Sequence, residues 1–204
     1  IVLTAGAFGT RVGERIAALR DARVHPLPHE RAALEPLVAD ADFVAVAAWR
    51  PYVPTFLLID ELCFAAGVRW SLAEIHAERV GCGPLVWPGK GPCYQCYRRR
   101  WLSHHKAPDR ELVLQRAYDT RPALGPAGFT APMVEIAAQA LVADSEADVS
   151  RAGHFRHVDL LTAAVLESRV IGIHECPRCR PMAEAPPGAR FVRELVPEFE
   201  RSIA

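Results

Sequence analysis

The sequence contains no run of about 20 unbroken apolar residues, so it offers no membrane-spanning helix. It has no excess of charge: 24 Lys and Arg are matched by 24 Asp and Glu, and the isoelectric point is near neutral. That balance excludes a global basic field that would draw nucleic acid or an anionic membrane. No signal peptide is visible in these residues, and there is no internal repeat or low-complexity tract. Cys63 and Cys82 stand outside any spaced cysteine pair, which suits a reducing, cytoplasmic setting. An initiating Met is also missing. Ile1 falls directly inside an apolar, strand-like run, so a fragment, or a protein with further residues upstream, is expected. What is present is enough for a full core, because half of the 204 residues are hydrophobic. That length fits one domain of slightly generous size.

Two pairs, Cys93-Tyr-Gln-Cys96 and Cys176-Pro-Arg-Cys179, carry the strongest chemical signal. Each Cys-x-x-Cys is a tight knuckle that can present two thiolates to one metal. Two knuckles complete the tetrahedral sulfur shell that zinc prefers. Such a closed shell leaves no position for water or substrate, so it reads as a structural staple. The competing readings are two disulfides or four ordinary buried cysteines.

Along the chain, strand and helix alternate. Ile1–Thr4 is β-branched and short, and the glycine cluster Gly6, Gly9, Gly13 follows, with a helix continuing from Glu14 to Arg20. Val24–Pro28 is a weak strand punctuated by prolines, and Glu30–Val38 reads as a helix. The run Asp42–Ala48 is continuously apolar, as a strand buried on both faces must be. Pro51 opens a helix that Gly67 ends. Residues 68–73 and 77–87 read as the next strands. This alternation predicts an α/β, Rossmann-like fold: a mostly parallel sheet with helices on both faces. Past residue 100 the pattern changes. Residues 101–121 read as a polar helix, 122–132 as a Pro- and Gly-rich loop and 133–143 as an amphipathic helix. A strand pair at 157–167 and 169–174 leads into the second knuckle. Residues 1–180 are expected to form one zinc-stapled domain and 181–204 a proline-containing tail.

A strand–glycine–helix unit can cradle phosphate. In the G-x-G-x-x-G register counted from Gly6, the second and third glycine positions hold Phe8 and Arg11. The loop of Gly6, Gly9, Arg11 and Gly13 is therefore a degenerate turn, retained for the fold. Arg11 remains able to hold a lone anion.

The segment Gly83-Pro-Leu-Val-Trp-Pro-Gly-Lys-Gly-Pro-Cys-Tyr-Gln-Cys96, with Cys176-Pro-Arg-Cys179 about 80 residues on, resembles the ThiF/MoeB family of ubiquitin-activating-enzyme-like adenylating proteins. Gly-Pro-Cys-Tyr-Gln-Cys-Tyr-Arg-Arg-Arg100 and Gly128-Phe-Thr-Ala-Pro132 are most similar to its cyclodehydratase partners, the ThiF-like leader-peptide-binding proteins of thiazole/oxazole-modified peptide biosynthesis. The resemblance implies a non-catalytic scaffold holding structural zinc. Its implied partners are a ribosomal precursor peptide and the YcaO-type enzyme that performs the ATP-dependent chemistry. It further implies a leader-binding winged-helix element ahead of the first strand, so peptide binding is expected on residues upstream of Ile1. Active members carry an Asp after the buried strand to hold Mg²⁺-ATP, where this chain has Ala47-Ala48-Trp49-Arg50. No catalytic residue and no productive ATP binding are expected.

Two other function classes compete. One is an active adenylyltransferase of a C-terminal carboxylate, and the other a zinc-ribbon nucleic-acid module, which the neutral charge and the wide knuckle spacing disfavour. Arg98, Arg99 and Arg100, with Trp101, His104, His105 and Lys106, form a basic patch. It reads either as a solvated helix face or as a docking surface for an acidic partner or peptide. Cys63 reads as core. Cys82, between glycines, has no activating base beside it. Trp49 and Tyr52 either line the nucleotide crevice or plug it. Association is expected, with a YcaO-type enzyme or as a homodimer.

Overall fold

The computed structural model describes residues 1–76 and 78–179. The tail expected at 181–204 lies outside the described residues. Seven strands form one sheet in the order β2-β1-β3-β4-β5-β6-β7. These are β1 (Val2–Ala5), β2 (Val24–Pro26), β3 (Phe43–Ala48), β4 (Arg69–His76), β5 (Arg79–Cys82), β6 (His154–Asp159) and β7 (Val165–Arg169). The first four are mutually parallel, and the pairings β4–β5, β5–β6 and β6–β7 are antiparallel. The strand β6 consequently runs with the parallel set, so the sheet is mostly parallel, as the alternation predicts.

Both faces of the sheet are covered. On one lie α1 (Gly6–Leu19) and α6 (Ala131–Glu146); on the other lie α2 (Arg31–Ala39), α3 (Val53–Ala66) and α4 (Tyr94–His104). The helix α5 (Pro108–Thr120) follows α4 and buries no residue fully. The strand β3 shows why its sequence has no alternation. Val44, Val46 and Ala48 join the core under α3, while Phe43, Ala45 and Ala47 join the core under α1 and α6. With both faces dry, every side chain must be apolar. The helix α6 is rich in alanine because it lies flat on the sheet, where Ala137, Ala138 and Leu141 are buried. Gly67 ends α3 in the left-handed conformation, its N–H returning to the Cys63 and Phe64 carbonyls.

Several boundaries differ from those read in the sequence, each for a local reason. The strand expected at 77–87 stops at Cys82, because Gly83 has φ +94° and Pro84 has no N–H to donate. The chain then continues along β4 in the same direction with its register shifted by one residue, and Val86 bridges Trp70. The C-terminal hairpin is formed earlier and is shorter than expected, with β6 and β7 joined through Thr162 and Ala163 at the turn. The single helix expected at 101–121 is two helices, parted where Pro108 begins α5.

Candidate functional site

The first knuckle is built by a helix start. Cys93 caps α4, and the N–H groups of Cys96 and Tyr97 both return to its carbonyl. Cys96 thus lies in the first turn, on the same side as Cys93. The second knuckle follows β7 and its extension. The four sulfurs lie within 4.8 Å of one another. The individual separations are 3.8 Å for Cys93–Cys96, 3.6 Å for Cys93–Cys176 and 3.5 Å for Cys96–Cys179. These are far beyond a disulfide bond of about 2.05 Å. A tetrahedral shell with metal–sulfur bonds of about 2.3 Å would place its sulfurs about 3.8 Å apart. The four cysteines can therefore hold a metal ion with little movement, and Cys93, Cys96 and Cys176 are buried. The thiols do not share protons equally. Hydrogen bonding with Cys179 and Cys93 lowers Cys96 to about 2. Its own hydrogen bonds with Cys179 and Cys96, with burial, push the Cys93 thiol well up.

Both knuckles converge on one carboxylate that sequence reasoning did not single out. Asp60, on α3, is fully buried. Its Oδ1 accepts from the Tyr94 backbone N–H at 3.1 Å and from Trp70 Nε1 at 3.3 Å. Its Oδ2 accepts from Arg178 at 2.8 Å. Tyr94 lies inside the first Cys-x-x-Cys and Arg178 inside the second. Burial raises the Asp60 carboxyl, and the Tyr94, Arg178 and Trp70 donors pull it back down only in part. The available signal was an acid on the inward face of a helix beside Phe56, Ile59 and Cys63, since a buried carboxylate needs partners.

A second feature lies at the carboxyl ends of the parallel strands, where ligands bind in open α/β sheets. Here the turn is filled from within. Gly6 has φ +70°, and a Cβ on it would lie 2.4 Å from the Trp49 ring. The opposite edge of the same indole meets Gly125, where a Cβ would lie 2.2 Å away. Trp49 Nε1 donates to the Tyr52 hydroxyl at 2.8 Å. Arg50 is buried, with its guanidinium 4.2 Å from the Tyr52 ring centre and 5.0 Å from that of Tyr118 on α5. One strand further, Glu74 is buried and pairs with His76 Nε2 at 3.0 Å. Burial alone would raise Glu74, but His76 and Arg98 outweigh it and hold the carboxyl below its usual range. Burial likewise works to lower His76, and Glu74 more than offsets it, so the imidazole titrates above its usual range.

The glycine cluster does not form a phosphate loop. The helix α1 begins at Gly6 itself, so Gly9, Arg11 and Gly13 are helical. Gly9 and Gly13 let α1 sit directly on the sheet, since Cβ atoms there would meet the Ala47 carbonyl oxygen at 2.3 Å and Val24 at 2.8 Å. Arg11 is exposed and pairs with Glu14 at 3.4 Å. Phe8 does not obstruct the crevice, because its ring is fully buried in the core, edge-on to Phe129. The obstruction comes from Trp49. Within the basic patch, Arg98 is buried and turned toward Glu111 at 4.0 Å, whereas Arg100 and His104 stay exposed. Cys63 and Cys82 are both buried, and burial pushes the Cys82 thiol up to about 12. No helix among the described residues is long and apolar enough to cross a membrane.

No family model matches the chain. No curated protein matches it either. Solved structures do. The heterocyclase TruD superposes with a TM-score of 0.63 at 16% identity, over 88% of this chain and 27% of that one. A chain of the Escherichia coli microcin synthetase McbBCD complex gives 0.60 at 14% identity, over 86% and 66%. E. coli MccB, solved with MccA, gives 0.55 at 20% identity, over 77% and 45%. MccB has also been solved with ATP, at the same TM-score and identity. The present chain thus spans about a quarter of TruD's length. The fold expected of a ThiF/MoeB-like chain is the fold found here, shared with the heterocyclase TruD, MccB and a chain of the microcin synthetase complex.

Proposed function

We propose that this chain is a non-catalytic, zinc-stapled scaffold that helps present a ribosomal precursor peptide to a YcaO-type cyclodehydratase making azoline heterocycles. The observation carrying the reading is Trp49, seated on Gly6 where a nucleotide phosphate would approach. The resemblance expects the metal-holding carboxylate of an adenylating relative at Ala48-Trp49, and the buried cation Arg50 directly follows. A buried cation beside that position repels Mg²⁺ and so disfavours a metal-bridged triphosphate. The likeness to a heterocyclase and to a microcin synthetase chain supports the pathway, and MccB solved with MccA supports a peptide-handling role. Zinc is the metal we assign to Cys93, Cys96, Cys176 and Cys179, because the sulfur separations suit its tetrahedral shell and a closed thiolate set leaves no catalytic position. A zinc-ribbon module is a poorer reading: the knuckles are brought together by the whole sheet, with Tyr94 and Trp70 in the core between them.

Co-expression with a co-encoded YcaO-type protein tests the proposal. The two should copurify, with one zinc per copy of this chain by elemental analysis. A chain that is strictly monomeric at micromolar concentration and ignores that partner contradicts the scaffold reading.

A further inference from the structure

A groove of about 570 Å³ lies between α4 and the β6–β7 hairpin, away from the strand-end crevice and beside the cysteine centre, where Tyr97 follows Cys96. Its floor is made of rings. Trp101 and His157 stack at 5.5 Å with planes 7° apart, Tyr97 and Phe155 sit at 5.6 Å, and Phe155 meets His157 edge-on. The rim is basic. Arg79 and Arg100 line it with a single carboxylate, Asp159, which leaves a net charge of +1 before His104, His105 and His157 are counted, while the Arg169 guanidinium turns to the other face of the hairpin, 3.0 Å from His154 Nε2. Asp159 is already held by Arg79 at 3.0 Å. Arg100 donates to the Ile171 and Gly172 carbonyls, and Arg169 donates to the Ser150 carbonyl. Neither of these two guanidiniums meets a carboxylate among the described residues.

Among the described residues the groove also borders a sheet edge: β7 pairs there with β6 alone, and Val165, Leu166 and Ile171 are 65%, 60% and 71% exposed. An exposed strand edge is a template for another extended chain. In an extended chain, successive side chains point to opposite sides. Apolar residues of such a chain would reach the ring floor while its acids face Arg100 and His104.

We propose that this groove is a docking site for an extended acidic peptide segment carrying an apolar or aromatic anchor, supplied by a partner. The proposal deepens the scaffold reading by giving the presented peptide a place on this domain. Trp101 and Phe155 receive the anchor, and Arg100, with His104, sets the preference for acids.

Fluorescence anisotropy with a labelled short peptide alternating Glu with Phe and Leu tests it directly on the full chain. Binding should saturate and weaken as salt rises. The matched peptide with Lys in place of Glu should bind at least about tenfold more weakly. Arg100→Glu, and separately the exposed Leu166→Asp, should each weaken binding about tenfold or more with unchanged melting. Two independent surface positions keep the test informative if one variant folds poorly. Equal affinity for the Glu and Lys peptides, or variants that bind as the parent does, overturns the groove. So does competition by phosphate alone at the peptide's own concentration, or a dimer that Leu166→Asp dissolves. A chain that copurifies with the YcaO-type enzyme but ignores the peptide overturns this proposal while leaving the scaffold reading intact.

Discussion

Asp60 holds together two stretches of chain that are more than 80 residues apart. One oxygen serves the first knuckle and Trp70, and the other serves the Arg178 guanidinium of the second. Removing a buried partner leaves the others unpaired, which costs about 3–5 kcal/mol for a buried charge. Asp60→Ala should therefore be strongly destabilised. Asp60→Asn keeps an acceptor for Tyr94 but leaves Arg178 with only the more distant, half-exposed Glu61 carboxylate at 3.7 Å. We expect it to fold and to lose zinc to a colorimetric chelator about 10–100-fold faster than the parent, as for other outer-shell groups. Unchanged release from Asp60→Asn would show that the clamp does not reach the metal. A second residue-scale expectation concerns Glu74 and His76. His76 is raised in the fold, so its share of stability is full below about pH 6.5 and fades as pH climbs through the raised value. Glu74 is lowered, so its share is present above about pH 4.5 and fades on acidification. Their joint contribution peaks between those limits. Melting followed against pH should show a decline on the alkaline side of 6.5 that Glu74→Gln removes; an identical decline in that variant would assign it to other groups.

At the scale of elements, α1 makes the sharpest case. Gly9 faces backbone: a Cβ there would lie 2.3 Å from the Ala47 oxygen, and a strand in the middle of the sheet cannot move aside. Gly67 has open space around it and only its φ of +70° to lose. Gly9→Ala should thus cost roughly 2 kcal/mol or more, as an overpacked core does. Gly67→Ala should cost about 1 kcal/mol. Equal costs in chemical denaturation would mean that α1 does not seat on the sheet this closely. The same helix shows what could and could not be read in advance. The apolar run at 43–48 and the knuckles at 93–96 and 176–179 are legible because one pattern permits one environment: a strand dry on both sides, or sulfurs on one ion. The glycines were legible as glycines but not in their role. Glycine serves equally for a phosphate cradle and for close helix–sheet packing, and the choice depends on Trp49, about 40 residues away. Phe8, which breaks the glycine register at its second position, lies fully buried in the core, and the ring against Gly6 is that of Trp49. The clamp at Asp60 depends on tertiary partners that no local spacing reveals, whereas Glu74 and His76 share a face by strand alternation and only their burial is hidden in the sequence.

In the molecule as a whole, the two ends of the sheet have different tasks. The parallel half, β2-β1-β3-β4, carries the strand ends where relatives of this fold would hold a nucleotide, and there Trp49, Arg50 and Tyr118 occupy the space. The antiparallel half carries the basic, aromatic groove, and the first cysteine knuckle opens α4 beside Asp60 of α3. On our reading the metal closes the fold, since metal binding free energy is folding free energy, and the chemistry belongs to the partner. The central claim is that the chain does not use ATP itself. Isothermal calorimetry of the purified, zinc-loaded chain with Mg²⁺-ATP tests this most directly. The account predicts no binding tighter than about 1 mM, roughly 4 kcal/mol. A micromolar dissociation constant would contradict it, and would make the chain an adenylating enzyme.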